Sequence, residues 1–248
     1  MKMIIALISI LSMTYLAACS DNTAIDNPPV VDTTDTIPDQ DTTVGANPKP
    51  DTIHYLALGD SYTIGESVKY EERYPVQLVA KLRKDTVVIA EPTIIARTGW
   101  TTRQLKQAIE SATLRNEYEL VSLLIGVNNQ YQGINIEVYK TEFRELLKKA
   151  IELAGGDKRR VFVLSIPDYA YTPFGRNSSS ISAQIDQYNA INLSITAEYG
   201  ISYFDITPIS RKGLQQPDLV ASDGLHPSGK MYEQWTALIF PDVLPKVK

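Results

Sequence analysis

The stretch IHYLALGDSYT, residues 53–63, joins an apolar run to a polar turn and decides the fold class. Residues 53–58 carry mostly apolar and aromatic side chains, as a buried strand does. Gly59 and Asp60 interrupt the run, and Ser61 follows where the strand would end. Ligands of open α/β sheets bind beyond the carboxyl ends of the strands. The stretch therefore predicts a strand, a turn and a serine exposed to a substrate.

Strand-like and helix-like runs alternate along the rest of the chain. Further strands are predicted at residues 86–90, 120–125, 161–166 and 201–204. Between them, apolar residues recur at helical spacing in runs that begin at Pro75, at Thr101 or Thr102, near residue 139 and near residue 181, with a last run after Pro227. This alternation is typical of an α/β fold with a parallel sheet covered by helices on both faces. We expect one domain from residue 53 to residue 248.

Far downstream, the stretch DGLHP at residues 223–227 places an acid three residues before one of only two histidines. A serine hydroxyl is a weak nucleophile that needs a nearby base, and a histidine oriented by a carboxylate can serve as one. Asp223, His226 and Ser61 are therefore the candidate catalytic residues. The competing interpretation makes Asp60 and Ser61 a helix cap and His226 a residue of a surface turn.

Other acids and the second histidine are weaker candidates for this chemistry. Asp168 and Asp205 follow strand-like runs and could edge a pocket, and Asp186 lies in a helix-like run. We rank all three below Asp223 as the acid. His54 lies at the start of the first strand, where a structural role is expected.

Two further residues after strand-like runs could stabilise a negative charge on oxygen. Gly99 allows the backbone to approach a ligand closely, and a simple turn is the alternative explanation. Asn128 carries a neutral N–H donor that can face a developing oxyanion, although asparagine in a loop often bonds to its own backbone.

Four blocks of this chain resemble the signature blocks of the GDSL, or SGNH, hydrolases. They are GDSY at residues 59–62, Gly99, GVN at residues 126–128 and DGLH at residues 223–226, in the family's order. The resemblance implies a three-layer α/β/α sandwich with a five-stranded parallel sheet, flavodoxin-like in its layers. One position departs from the family, because Asn129 stands where an aspartate is usual. We expect this change to affect the support of the loop more than the chemistry.

The resemblance also implies a role for each matching residue. Ser61 would be the nucleophile and would donate its backbone N–H to the oxyanion hole. Gly99 would add a second backbone N–H, and Asn128 would add its side-chain amide. His226 would act first as base and then as acid, with Asp223 as its partner. No cofactor and no metal ion would be needed.

The expected reaction is ester hydrolysis through an acyl-enzyme, but the substrate is open. Aromatic and polar side chains in loops beside the expected site are candidates for the pocket: Trp100, Asn129, Tyr131, Asp168, Tyr169, Tyr171 and Phe174. The aromatic faces could stack on sugars, line a slot for a fatty acyl chain or pack the loops together. We favour a short acyl ester, such as an acetyl group on a carbohydrate, over a lysophospholipid or long-chain ester. A catalytically inactive binding lipoprotein is the remaining alternative.

The N-terminal segment predicts export and a lipid anchor. Residues 1–18 have the charge and short apolar core of a signal peptide. They end in Leu16-Ala17-Ala18, and together with Cys19 these residues resemble the bacterial lipobox. Cys19 is the only cysteine in the chain. An ordinary secretory signal with an incidental cysteine is the alternative. Lipidated Cys19 would tether the protein to the cell envelope, at the outer membrane or cell surface rather than the inner membrane.

Residues 19–52 predict a disordered linker, rich in threonine, aspartate and proline and without aromatics. Of the 24 basic and 29 acidic residues of the chain, the segment from 53 to 248 keeps 22 of each. The excess of acid therefore lies in the linker. A body with no net charge offers no electrostatic basis for binding nucleic acid, so the expected partners are a small-molecule or glycan ester and, through the anchor alone, a membrane. No pattern in the chain indicates an oligomeric state.

Overall fold

The computed structural model describes residues 52–248. The predicted signal peptide, Cys19 and the linker up to residue 51 lie outside the described residues.

Five parallel strands form a single sheet, as predicted. In chain order they are β1 (Tyr55–Gly59), β2 (Thr93–Ala96), β3 (Leu120–Leu124), β4 (Val161–Leu164) and β5 (Ser202–Phe204). Their order across the sheet is β2-β1-β3-β4-β5, and every neighbouring pair is parallel. Every residue of β1, β3 and β4 is buried, because both faces of the central strands are covered.

One strand prediction is wrong, since residues 86–90 do not form the edge strand. This segment makes only an isolated bridge between Ile89 and Ile53, and regular pairing begins at Thr93, opposite Leu56. Pro92 lies just before that strand and has no N–H to donate to a sheet. The segment between Ile89 and Thr93 is one residue longer than the segment between Ile53 and Leu56. The hydrogen-bond ladder is therefore interrupted there.

Helices connect the strands and cover the sheet. They are α1 (Ser61–Ile64), α2 (Tyr74–Lys84), α3 (Thr102–Ser111), α4 (Val127–Tyr131), α5 (Ile136–Leu153), α6 (Ser179–Glu198), α7 (Thr207–Ser210) and α8 (Gly229–Val247). Helix α2 packs against α8, and α5 packs against α3 and α6. The alternation of strands and helices and the five-stranded parallel sheet confirm the predicted α/β fold. None of the helices among residues 52–248 has the length and hydrophobicity to span a membrane.

Two helix starts bear on the site because they follow strands β1 and β2. Asp60 caps α1, with its carboxylate accepting a hydrogen bond from the backbone N–H of Tyr62 at 3.0 Å. Thr101 caps α3, and the side chain of Gln104 reaches back to the Thr101 backbone N–H at 2.9 Å. The predicted helix cap at Asp60 is therefore present, and it leaves Ser61 as the first residue of α1.

Candidate active site

A cleft of about 260 Å³ lies among the loops and short helices that follow the strands. Eleven residues line it: Ser61, Tyr62, Thr98, Gly99, Val127, Asn128, Tyr131, Tyr169, Phe174, Leu225 and His226. Segments far apart in the chain therefore meet at one place, as the strand-end argument predicts for an open parallel sheet.

Ser61 follows the end of β1, where the backbone packs closely against the end of β3. A side chain at Gly59 would place its Cβ only 2.5 Å from the backbone oxygen of Leu124, so glycine is required there. Ser61 then begins α1, where no carbonyl within the helix is available to its backbone N–H. Both the hydroxyl and this N–H are thus in position to serve a substrate in the cleft.

Asp223 holds His226 in a defined orientation. The Nδ1 atom of His226 lies 2.6 Å from Oδ2 of Asp223. The other carboxylate oxygen, Oδ1, accepts hydrogen bonds from the backbone N–H groups of Leu225 at 2.9 Å and of His226 at 3.0 Å. A turn at Gly224, whose φ is +73°, makes this arrangement possible over three residues.

The Asp223 carboxylate keeps its negative charge to low pH. Partial burial acts to raise its pKa, but hydrogen bonds from the Ser67 hydroxyl, from the His226 ring and from two backbone N–H groups outweigh burial. The pKa of Asp223 is therefore well below its usual range. An ionised carboxylate facing Nδ1 keeps the proton on that nitrogen and leaves Nε2 as the basic atom of the ring.

Gly99 and Asn128 lie beside Ser61 in the cleft and can donate N–H groups to a substrate oxygen. Gly99 has a φ of +85°, and no heavy atom lies within 4 Å of where a Cβ would stand. One N–H of the Asn128 amide donates to the backbone oxygen of Trp100 at 3.0 Å. A primary amide has two such hydrogens, so the other can serve the cleft.

Asn129 does not line the cleft but joins the two segments that carry these donors. Its side chain is fully buried. Its oxygen accepts the backbone N–H of Thr102 at 3.0 Å, and its nitrogen donates to the Thr102 hydroxyl at 2.7 Å. That hydroxyl donates in turn to Glu142 at 2.5 Å. The amide at position 129 thus uses both its oxygen and its nitrogen in hydrogen bonds, and neither atom is buried without a partner.

Trp100 and Asp168 also point away from the cleft. Trp100 packs against the core and contributes its backbone oxygen to Asn128. Asp168 is fully buried and accepts hydrogen bonds from the Ser182 hydroxyl at 2.5 Å and from Arg211 at 2.9 Å. Its carboxylate also accepts a hydrogen bond from the backbone N–H of Ala170 at 3.0 Å, next to Tyr169, which does line the cleft.

The other acids considered from the sequence lie away from His226. Asp186 pairs with Arg211 at 2.5 Å, and Asp205 accepts a hydrogen bond from the Ser165 hydroxyl at 3.0 Å. Neither lines the cleft. At His54, the backbone N–H donates to Glu119 at 2.7 Å.

Three aromatic rings form one wall of the cleft. The ring centroids of Tyr131, Tyr169 and Phe174 lie 6.2–6.4 Å apart. Tyr131 is 61% exposed and Phe174 is 49% exposed, so large apolar faces are open to solvent beside the candidate nucleophile. Exposed aromatic patches of this kind commonly mark binding sites.

The sequence patterns missed two residues that contact Asp223 or His226. The ring of Tyr62 packs edge-on against the His226 ring, with centroids 5.8 Å apart. The Ser67 hydroxyl donates to Asp223 at 2.7 Å. The position of Tyr62 next to Ser61 was a usable signal, whereas Ser67 lies in a turn whose sequence marks no function.

The sequence matches the model of the GDSL-like lipase/acylhydrolase family over residues 57–234. The chain belongs to this family. The matched range includes every residue that lines the cleft, and the family makes the protein a hydrolase. No curated protein sequence matches the chain.

Solved structures show that the GDSL hydrolase fold extends over most of the chain. TesA superposes with a TM-score of 0.63 at 14% identity, over 78% of this chain and 99% of that one. The acetylxylan esterase Axe2 from Geobacillus stearothermophilus gives 0.59 at 19% identity, over 79% and 94%. A lipase/acylhydrolase from Enterococcus faecalis gives 0.60 at 22% identity, over 79% and 98%. At these identities the similarity shows the fold alone.

Asp60 of this GDSL hydrolase is an ionisable residue that directly precedes the candidate nucleophile, Ser61. Asp60 is fully buried, and its Oδ2 atom has no hydrogen-bond partner among the described residues. Burial raises the pKa of Asp60 to about 7, although backbone N–H groups such as those of Tyr62 and Gly126 oppose the rise. The folded protein therefore binds this proton more tightly than the unfolded chain does. The stability contributed by Asp60 is present below about pH 4 and is lost as the pH rises to about 7.

We expect the Asp60→Asn variant to become more stable than the wild type as the pH is raised. Between pH 4.5 and pH 8, the difference in unfolding free energy should move by roughly 2–4 kcal/mol in favour of the variant. Urea denaturation of both proteins at the two pH values measures it. Asp242→Asn, which changes an exposed carboxylate, is the matched control against which the trend is measured. A difference between Asp60→Asn and wild type that does not vary with pH would contradict the prediction.

Proposed function

We propose that this GDSL hydrolase is a serine esterase that removes short acyl groups, acetyl foremost, from carbohydrate esters. The observation that carries the proposal is the meeting of Ser61, His226 and the donors at Gly99 and Asn128 in one cleft. Each has the chemistry that one part of acyl transfer requires.

The proposed reaction has two steps that use the same residues. Ser61 Oγ bonds to the ester carbonyl carbon while His226 takes the hydroxyl proton. The oxyanion that forms accepts hydrogen bonds from the N–H groups of Ser61, Gly99 and Asn128. The bond to the alcohol then breaks, and His226 returns the proton to the departing oxygen. Water repeats the sequence on the acyl-enzyme and releases the acid.

The walls of the cleft support a neutral substrate. Among the described residues that line it, there is no lysine, arginine, aspartate or glutamate. A phosphate-bearing ester would lose its hydration there without gaining a cationic partner, which is unfavourable. This argues against a lysophospholipid and for an uncharged alcohol such as a sugar. The exposed faces of Tyr131 and Phe174 are suited to pack against the apolar face of a sugar ring.

A long-chain acyl ester is the second candidate, and the same aromatic wall favours it. Tyr131, Tyr169 and Phe174, together with Val127 and Leu225, make a mostly apolar surface that is open at one side. An acyl chain could lie along it and gain free energy from each methylene group it buries. The small volume of the cleft favours the short acyl group.

Two measurements on the purified protein test these proposals. A fluorophosphonate should modify the protein, and peptide mass spectrometry should locate the adduct on Ser61. On p-nitrophenyl esters from C2 to C12, kcat/KM should be highest for acetate. Faster hydrolysis of the C12 ester would replace the short-acyl proposal with the long-chain one. No turnover and no labelling would leave a binding lipoprotein as the better interpretation.

A further inference from the structure

Ser67 occupies an unusual backbone conformation close to the acid–base pair. Its φ is +65°, in the left-handed region that residues other than glycine rarely adopt. Residues held in such conformations cluster at functional sites, where the surrounding structure maintains them. In this conformation the Ser67 hydroxyl donates to Oδ2 of Asp223 at 2.7 Å, across 156 residues of sequence.

The hydroxyl completes the hydrogen bonding of the Asp223 carboxylate. Oδ2 receives both the Ser67 hydroxyl and Nδ1 of His226, and Oδ1 receives two backbone N–H groups. Three of these four donors come from Leu225 and His226, within the same turn as the carboxylate. Ser67 is the donor that comes from another part of the fold.

The turn that carries Ser67 is hydrogen-bonded directly to the backbone of the candidate nucleophile, Ser61. The backbone oxygen of Ser61 accepts the N–H groups of both Gly65 and Glu66, each at 3.0 Å. The Glu66 carboxylate also accepts the hydroxyl of Thr98, the residue before Gly99. One short turn therefore connects the segments that carry Ser61, Gly99 and Asp223.

We propose that Ser67 is a positioning residue for the reaction, which fixes the Asp223 carboxylate, and through it His226, relative to Ser61. The proposal rests on the proposed function of Ser61, Asp223 and His226. Without the hydroxyl, the carboxylate would be held only by its own turn. Its Oδ2 atom would then have a single protein donor, and the hydrogen bond to His226 would change in strength and angle.

Other titratable groups near this pair make a pH profile alone insufficient as a test. The Tyr62 ring packs on His226, Tyr131 and Tyr169 line the same cleft, and Asp60 directly precedes Ser61. Because the pKa of Asp60 is raised to about 7, its titration overlaps any limb of the rate profile near neutral pH. The decisive signal is therefore the NMR resonance of the His226 Nδ1 proton, which reports its hydrogen bond to Asp223 directly.

The test uses Ser67→Ala and Ser67→Gly, which both remove the hydroxyl. Glycine also relieves the left-handed backbone, so an effect shared by the two variants belongs to the hydroxyl. We expect kcat on p-nitrophenyl acetate to fall about tenfold in both, with KM changed less than about twofold. The low-field resonance of the His226 Nδ1 proton should shift in both. Only two histidines exist in the chain, so His54→Asn assigns the signal.

Thr86→Gly is the matched control. Thr86 also has a positive φ, of +68°, but its hydroxyl donates to the backbone oxygen of the preceding residue, Asp85. This variant should leave both kcat and the resonance unchanged.

An unchanged resonance in folded Ser67→Ala and Ser67→Gly would overturn the proposal, whether or not kcat falls. If the wild type neither hydrolyses esters nor labels at Ser61, the proposed function fails. The resonance comparison would still show whether Ser67 sets the contact between Asp223 and His226.

Discussion

Replacing Ser61 with alanine is expected to lower kcat on every ester by about 10⁴- to 10⁶-fold, and His226→Ala by a comparable factor. In the proposed mechanism, the serine oxygen makes the new bond and the histidine removes its proton in the same step. Once either group is lost, the other has nothing to act on. The Ser61→Ala/His226→Ala double variant should therefore be about as slow as the slower single variant, rather than slower by the product of the two factors.

Rates on p-nitrophenyl acetate, measured for the two single variants and the double variant, decide this prediction. His54→Ala is the matched control, because it removes the other histidine, which does not line the cleft. It should retain activity near that of the wild type. Losses that multiply in the double variant would mean that the two residues act independently. Activity retained in Ser61→Ala would reject the serine mechanism altogether.

Much of this arrangement could be predicted from the sequence, because parallel sheets bring strand ends together. Once β1 and β3 are recognised, Ser61 and Asn128 must emerge at the same edge of the sheet. The pairing of Asp223 with His226 is a local effect of a three-residue turn, so spacing alone predicts it. Both results depend on geometry that the backbone fixes without reference to side-chain packing.

The edge strand and the loop side chains were harder to predict, for two physical reasons. Residues 86–90 have strand-like composition, but Pro92 and the interrupted ladder place the regular strand later, at Thr93–Ala96. Trp100, Asn129 and Asp168 follow strands and yet point away from the cleft, since the direction of a loop side chain depends on partners distant in sequence. Asn129 turns inward to Thr102, and Asp168 turns toward Arg211.

The contact between Ser67 and Asp223 shows the same limit more strongly. Neither residue type nor spacing connects two positions 156 residues apart. The contact exists because α8 and the turn before it pack beside the segment that follows α1, an outcome of tertiary structure. A serine with left-handed backbone becomes visible as a candidate only when the structure gives its φ.

Asn128→Ala is expected to lower kcat by about 10²- to 10³-fold while KM changes little. The amide donor would stabilise an oxyanion that exists only after attack, so its loss raises the barrier without weakening substrate binding. Asn128→Asp should be at least as slow, because a carboxylate would face the developing negative charge. Steady-state kinetics on p-nitrophenyl acetate, together with thermal unfolding of each variant, measure the effect.

The neighbouring asparagine separates this role from support of the loop. Asn128 also bonds to the backbone oxygen of Trp100, so its loss could act by loosening the segment. Asn129→Ala loosens the same segment more, because it leaves the buried N–H of Thr102 without its acceptor, yet it keeps the Asn128 amide. If the amide is an oxyanion donor, Asn128→Ala loses more activity and Asn129→Ala loses more stability. If activity instead follows stability across the two variants, Asn128 supports the loop and the oxyanion hole must be formed by the backbone donors alone.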